Sequence, residues 1–541
     1  MNQSLQIDAG TWFLTFFKDF IGTPAILIGL FALIGSLLLR KKGTEIILTL
    51  FKTIAGFLIL GGGAGVLVGS LSNFQVLFVD LFQVQGVIPN NDAFAGQLFE
   101  IAPAIAQLGS IIMVVSMLFN LLLAYTSRYK YIFLSGHVLF YMSLMLAGVM
   151  VLSGFDLNVA SDYATALVAS SVIMATYMVI SCAATSKYVQ RITGAKDISM
   201  AHTGSIGYVM SGLIGDMIYR SKKGKVKSTE EIKFPKWLSF FRNTFASMAI
   251  TMLIVFAIVY IPQGIMYQTG AKTITAATNE ATAATLTNLF GASASKNWLV
   301  QNILDAFTFA AGVEIMLFGV RMIIGELVPA FKGISDKWIK NSKAGLDCPI
   351  VFPYAPNAVL IGFLSSFGAG LVGIGITIGF AAGSGVVNNG AIIIAPVIIP
   401  GIVAHFFLGA TSGVFGNSKG GILGAIIGPF IHGLIITFVP IIFVMTAWSP
   451  SSTLGWGDSD YLIGIVPGVL GYRTLVDSNI NMARGLVLGI PIAIYVLLSL
   501  EGLFKRFYLD KKDLTYRKIF FKNSKLVSAN ETPTEPSDSV E

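Results

Sequence analysis

Apolar runs of about twenty residues, each long enough to cross a bilayer, recur from one end of this chain to the other. They lie near residues 22–39, 45–70, 106–126, 131–153, 162–185, 243–262, 299–324, 357–381, 390–410, 420–446 and 485–504. In hydrocarbon every backbone polar group must be satisfied within the protein, so only helices and closed barrels span a membrane. A barrel would show period-two alternation in segments of roughly ten residues, and the runs show none. Composition agrees, with 54% of the 541 residues hydrophobic and 12% charged, against about 25% charged in soluble domains. The mean hydropathy is +0.76. The pattern predicts an all-α polytopic membrane protein of about eleven transmembrane helices.

The net charge of +8 could suggest a nucleic-acid partner, but its distribution excludes that reading. Of the 36 Lys and Arg residues, 28 fall in segments 40–42, 128–130, 187–242, 332–343 and 505–525. Positive residues collect in cytoplasmic loops, so these five segments belong on one side. With eleven spans the N-terminus is then expected outside and the C-terminus in the cytoplasm. All six tryptophans fall at span ends, where interfacial aromatics concentrate. The first apolar run ends in LRKK and reads as a retained span rather than a cleaved signal. Residues 1–504 are expected to form the membrane-embedded domain. Residues 505–541 form a cytoplasmic tail, basic at first and then too polar and Pro-interrupted to pack. The Ala/Thr-rich segment 263–297 reads as an external loop.

Two stretches resist the helix template. Residues 198–219 are rich in Gly and Ser, and residues 344–357 carry Asp347, Cys348 and prolines at 349, 353 and 356. Proline removes backbone donors and prevents a continuous helix. Interrupted segments in corresponding places of two halves often build transporter sites. Asp347 is therefore the strongest functional candidate, since an acid at mid-membrane costs about 2.5–3.5 kcal/mol and is retained for a reason. His202, in MAHTGS, has the next best case, and His137, in SGHVLFY, follows. His405 and His432 sit in longer helical runs and are expected to pack. Glu314 and Arg321 share a helix face two turns apart, and Glu326 could pair with Arg321 or cap a turn. Glycines 56–69 and the stretch GATSGVFGN at 409–417 suit close helix packing or a ligand lining. Cys182 and Cys348 imply neither a disulfide framework nor a metal site. There is no G-x-x-x-x-G-K-[ST] or H-E-x-x-H pattern, so neither ATP-driven transport nor intramembrane zinc proteolysis is supported. No cofactor is expected. An ion-coupled secondary transporter, with Asp347 or a histidine as the proton site, stays open on residue chemistry alone.

Several ordered motifs carry a resemblance. They are LRKKGTEIILTLFKTIAGFLILGGGAGVL, LSGHVLF, KFPKWLSFFRNTFAS, GVRMIIGELVPAFKGIS, LDCPIVFPYAPNAV and IIPGIVAHFFLGATSGVFGN. In these the chain resembles the ascorbate-specific enzyme IIC permeases of the bacterial phosphoenolpyruvate-dependent phosphotransferase system, over roughly residues 24–504. The resemblance implies a homodimer in the bacterial cell membrane, each subunit with a scaffold and a mobile substrate-carrying core of the elevator type. It implies import of a small sugar-like substrate, with phosphorylation by a separate IIB protein that IIA recharges. Substrate contacts are implied at Gly63, His137, His202 and Asp347, and around Ala93–Phe94 and Pro400, Gly401 and Ile402. Tyr141 and Thr203 occupy substrate-facing positions where ascorbate permeases typically have glutamines. Ala64 stands where a serine is usual, and Ala93–Phe94 replace a Thr–Tyr pair. Ascorbate is the expected substrate, with another polyol or sugar acid as the alternative. After residue 504 too few residues remain for a folded phosphoryl-transfer domain. The phosphate donor is accordingly expected to be a partner, with the basic loop 220–242 as a docking surface.

Overall fold

A computed structural model of the chain describes residues 24–82, 87–89, 98, 102–233, 244–273, 280–292, 294–383, 386–388, 391–393, 396–446, 456–465 and 479–509. Long apolar helices dominate. They are α1 (Pro24–Leu38), α2 (Gly43–Phe82), α3 (Pro103–Thr126), α4 (Gly136–Leu152), α5 (Ala160–Thr193), α6 (Ser205–Ser221) and α7 (Thr244–Gln268). After these come α8 (Glu280–Phe290), α9 (Trp298–Trp338), α10 (Pro356–Gly383), α11 (Ile402–Thr446), the short α12 (Leu462–Ile465) and α13 (Ile480–Phe504). Among the described residues, six helices are long and apolar enough to cross a membrane. Their outward faces carry large apolar side chains, such as Leu58 on α2 and Ile490, Leu497 and Leu500 on α13. Such faces suit lipid as solvent. The chain is an all-α polytopic membrane protein.

The helices pack in two groups. In one, α2 lies along α9, with α1 and α7 against them. Here Glu326 departs from expectation. It bonds Thr49 Oγ1 at 2.6 Å and Lys52 Nζ at 3.1 Å, while Arg321 takes Glu314 at 3.2 Å. Its cationic partners, Lys52 and Lys41 (the latter at 3.5 Å), come from the α1–α2 region, which a pairing rule confined to one helix cannot reach. In the other group α6, α10 and α11 pack together, and α3, α4 and α5 pack beside them. The groups meet where Phe57 of α2 stacks edge-on against Phe140 of α4, with ring centroids 5.8 Å apart.

Helix α11 is a hairpin. Its backbone breaks at Gly421, with φ 58° and ψ −148°, a left-handed φ that glycine adopts without a Cβ penalty. His432 Nδ1 lies 2.7 Å from Ser412 Oγ. Twenty residues of straight helix would hold those groups about 30 Å apart, so the two limbs run antiparallel. At the bend, a Cβ on Gly416 would sit 2.1 Å from the Gly424 carbonyl oxygen. The stretch 409–417 is a packing seam. The expected spans 390–410 and 420–446 are not reproduced as such: residues 391–393 and 397–399 are strands, and the hairpin runs from Ile402 to Thr446 with its bend at Gly421.

One loop expectation is corrected and another refined. Residues 198–219 form a three-residue strand, a non-helical turn over residues 201–204 that carries His202, and the helix α6. Their glycines serve close packing: a Cβ on Gly215 would meet the Gly416 carbonyl oxygen at 2.5 Å. The segment 263–297 contains α8, whose Leu286, Leu289 and Phe290 recur at helical spacing. Leu286 and Leu289 are buried, and Phe290 stacks on Tyr267.

Short parallel strands tie distant segments together. Strands β2 (Tyr131–Phe133) and β3 (Ile198–Met200) flank β4 (Lys343–Leu346) in the order β2-β4-β3. The register pairs Phe133 with Gly345 and Met200 with Leu346. Strand β1 (Val87–Pro89) pairs in parallel with β7 (Val397–Ile399). Strands β5 (Val386–Asn388) and β6 (Ala391–Ile393) form a small antiparallel pair.

Candidate functional site

The three-stranded ladder decides where the polar residues go. Asp347 follows β4 by one residue, His202 follows β3 by two, and His137 follows β2 by four. The strands are parallel, so their carboxyl ends lie together and all three side chains arrive at one end of the ladder. Backbone bonds carry the pairing past the strands, with Leu134 N–H donating to Gly345 O and Ala201 N–H to Leu346 O, each at 2.8 Å. Open parallel sheets place ligands at this end. A helix starts just beyond each strand: α4 at Gly136, α6 at Ser205, and a 3₁₀ turn over Cys348–Tyr354 that leads into α10.

Asp347 Oδ2 lies 3.7 Å from His137 Nδ1, and its Oδ1 accepts from Cys348 N–H at 2.7 Å. One carboxylate oxygen therefore caps the turn while the other faces the histidine. The prolines that follow leave Asp347 at the head of a 3₁₀ segment rather than inside a helix. His202 is buried, with its ring centroid 5.8 Å from that of His137. Its Nδ1 meets the Tyr208 hydroxyl at 2.9 Å, which leaves Nε2 for a ligand. Asp347 and His137 are partly exposed, at 36% and 24% of their side chains. The cluster is thus open on one side and held on the other.

Could it hold a metal? The ligand atoms of His137, His202 and Asp347 lie within 4.8 Å of one another. Tetrahedral zinc, with bonds of about 2.0–2.2 Å, sets neighbouring ligands roughly 3.4 Å apart. The 3.7 Å between His137 Nδ1 and Asp347 Oδ2 is near that spacing, so the three groups form a polar cluster able to meet a divalent cation or a hydroxyl-bearing molecule.

The remaining predicted contacts divide. Tyr141 sits one helical turn after His137, buried, its ring edge-on to the imidazole at 6.5 Å. It backs the histidine. Thr203 is fully buried and its hydroxyl donates to Asp458. Gly63 is buried within α2, in the other helix group. Pro400 and Gly401 are buried directly after β7, and Ile402 opens α11. The β1–β7 register ends with Pro89 opposite Ile399, the residue before Pro400. Ala93 and Phe94 themselves lie outside the described residues, as does the side chain of Ile402. His405 and His432 have packing roles as expected: His405 Nδ1 meets Ser366 Oγ at 2.8 Å, and His432 bridges Ser412 and Ser459.

Sequence reasoning missed Asp458, Asp460 and Tyr177. The Tyr177 hydroxyl lies 3.0 Å from the His202 carbonyl oxygen and 2.6 Å from Asp460 Oδ2. The signal available was GDSDY at 457–461, two acids with no basic neighbour beside buried Trp456 and Tyr461.

With this geometry in view, comparison with known proteins is decisive for the family. Residues 19–460 match EIIC-GAT, the PTS system sugar-specific permease component. The chain belongs to that family. A curated relative, the ascorbate-specific PTS system EIIC component of Mycoplasma pneumoniae, is 25% identical over 440 residues. The match covers 78% of this chain and 64% of that relative's length. As an EIIC-GAT permease component the chain is a multi-pass membrane transport protein, and the clustered histidines and carboxylate lie within the matched region.

Proposed function

We propose that this permease component carries L-ascorbate, or a closely related sugar acid, across the membrane for phosphorylation by separate IIB and IIA proteins. The observation that supports the reading is the convergence of His137, His202 and Asp347 at the carboxyl ends of three parallel strands. A carboxylate and two imidazoles around an opening can accept and donate hydrogen bonds to vicinal hydroxyls. The name of the Mycoplasma relative points to ascorbate. In this reading subunits pair as a homodimer, and the group containing α6, α10 and α11 moves as the core against the α2–α9 group. His137 and Asp347 orient the hydroxyl that receives the phosphoryl group. Further substrate contacts at Pro400, Gly401, Ile402, Ala93, Phe94 and Gly63 rest on the family resemblance.

A second substrate, a polyol or another sugar acid, is favoured by one specific observation. At the two positions where ascorbate permeases have glutamines, Tyr141 is buried behind His137 and Thr203 is turned to Asp458. Neither supplies an amide to the site. A site built to read polar groups discriminates by factors of roughly 10⁴–10⁵, so such changes redirect selectivity. Binding to purified protein by a panel of L-ascorbate, galactitol and pentitols tests the reading. The proposal expects ascorbate to bind best, and preference for a polyol would transfer the assignment to the second substrate class.

A further inference from the structure

Helix α6 begins with a problem that its own sequence does not solve. Its N-cap residue is Gly204 and makes no side-chain cap. A Cβ there would lie 2.2 Å from Leu408 and 2.5 Å from Tyr208, so no capping side chain fits. The first N–H groups of a helix need acceptors, and a buried donor left unpaired is destabilising. The acceptor comes from 255 residues away. Asp460 Oδ2 accepts from Ser205 N–H at 2.8 Å and Oδ1 from Ile206 N–H at 2.9 Å. The Ser205 hydroxyl bonds the same carboxylate, and Asp460 N–H donates to Thr203 O at 2.9 Å. Beside it, Asp458 takes the Thr203 hydroxyl, and Ser459 Oγ meets His432 Nε2 at 3.1 Å. Asp458, Ser459 and Asp460 are all buried.

We infer that Asp460 is a positioning residue for His202. The inference rests on the reading of His202 as a substrate ligand. Two atoms of His202 are held, and both lead back to Asp460. The Tyr177 hydroxyl shares its one proton between Asp460 Oδ2 at 2.6 Å and the His202 carbonyl oxygen at 3.0 Å. The ring Nδ1 is held by Tyr208, one turn into the helix that Asp460 caps. Asp460 itself is fully buried with both oxygens engaged, so it touches no substrate. A metal ligand's outer partners set ring orientation in this manner, and the same logic holds for an imidazole facing a sugar.

The test uses full-length protein in detergent with ¹⁵N-labelled histidine, the His202 signal being assigned by its loss in His202→Gln. Asp460→Asn keeps the size but turns an amide donor toward the Ser205 and Ile206 donors. It is expected to shift the His202 ring signals, leave those of His405 in place, and weaken L-ascorbate binding at least tenfold. An unmoved His202 signal, or an equal shift at His405, would overturn the positioning role. Should Asp460→Asn not fold, Tyr177→Phe removes only the hydroxyl link and must shift the same His202 signal; no shift overturns the inference. Wild-type protein that binds no ascorbate would retire the substrate reading alone, because the histidine signals still decide the role of Asp460.

Discussion

Asp347 divides its two oxygens between structure and ligand. Oδ1 caps the backbone at Cys348, and Oδ2 faces His137 across 3.7 Å. Asp347→Asn should therefore preserve the cap and remove the charged acceptor. Hydrogen bonds to charged groups contribute about 1.5–3 kcal/mol, so substrate binding should weaken roughly ten- to a hundredfold with membrane insertion unchanged. Isothermal titration alongside a detergent-stability assay would show it, and unaltered affinity would remove Asp347 from the site. Tyr208→Phe deletes a single neutral hydrogen bond to His202 Nδ1, about 1 kcal/mol. The expected loss in affinity is roughly fivefold, smaller than for Asp347→Asn in the same titration. At this scale the sequence was informative about the residues that reach the opening. Asp347 and His202 stood out because polar groups in apolar, broken segments are costly. Asp458 and Asp460 did not, because their partners lie about 255 residues away and no local pattern encodes a cap supplied from another segment.

The ladder β2-β4-β3 was not legible at all, and the reason is length. Each strand has three or four residues, too few for alternation to register. Its pairings join segments around 131, 198 and 343, and nothing local to any of them names the other two as partners. The α11 hairpin was not legible, since its bend at Gly421 falls inside the run 420–446 that reads as one span. The Gly content of α6, which resists the span template, serves backbone contact with α11. Such contact also yields a contrast in α2 and α11. Gly416→Ala pushes a methyl into the Gly424 carbonyl, and overpacking of this kind costs about 1–3 kcal/mol or more. Gly61 has nothing within 4 Å of an added Cβ, and Ala is favoured over Gly in a helix by about 0.8–1.0 kcal/mol. Thermal unfolding in detergent should fall for Gly416→Ala and hold or rise for Gly61→Ala. Equal effects would contradict the packing seam.

At the scale of the whole molecule, membrane orientation and coupling are the open questions. The exposed lysines at 222, 223, 225 and 227, between α6 and the 3₁₀ turn Thr229–Glu231, are expected on the cytoplasmic side. Both native cysteines are buried, so a single reporter can be read without removing them. Lys225→Cys should react with an impermeant maleimide in inside-out vesicles and stay unlabelled in right-side-out ones; the reverse would invert the topology. Two helix groups meeting at Phe57 and Phe140 offer the division into scaffold and core that an elevator needs. The Asp460 clasp binds α5, α6 and α11 together, so these should travel as one body. The central claim is that transport is coupled to phosphorylation by partner proteins. Uptake of labelled L-ascorbate into membrane vesicles, with and without phosphoenolpyruvate and the soluble IIA and IIB proteins, tests it most directly. The account predicts accumulation only with the complete system, and as the phosphate ester. Accumulation of free ascorbate driven by a proton gradient would contradict it.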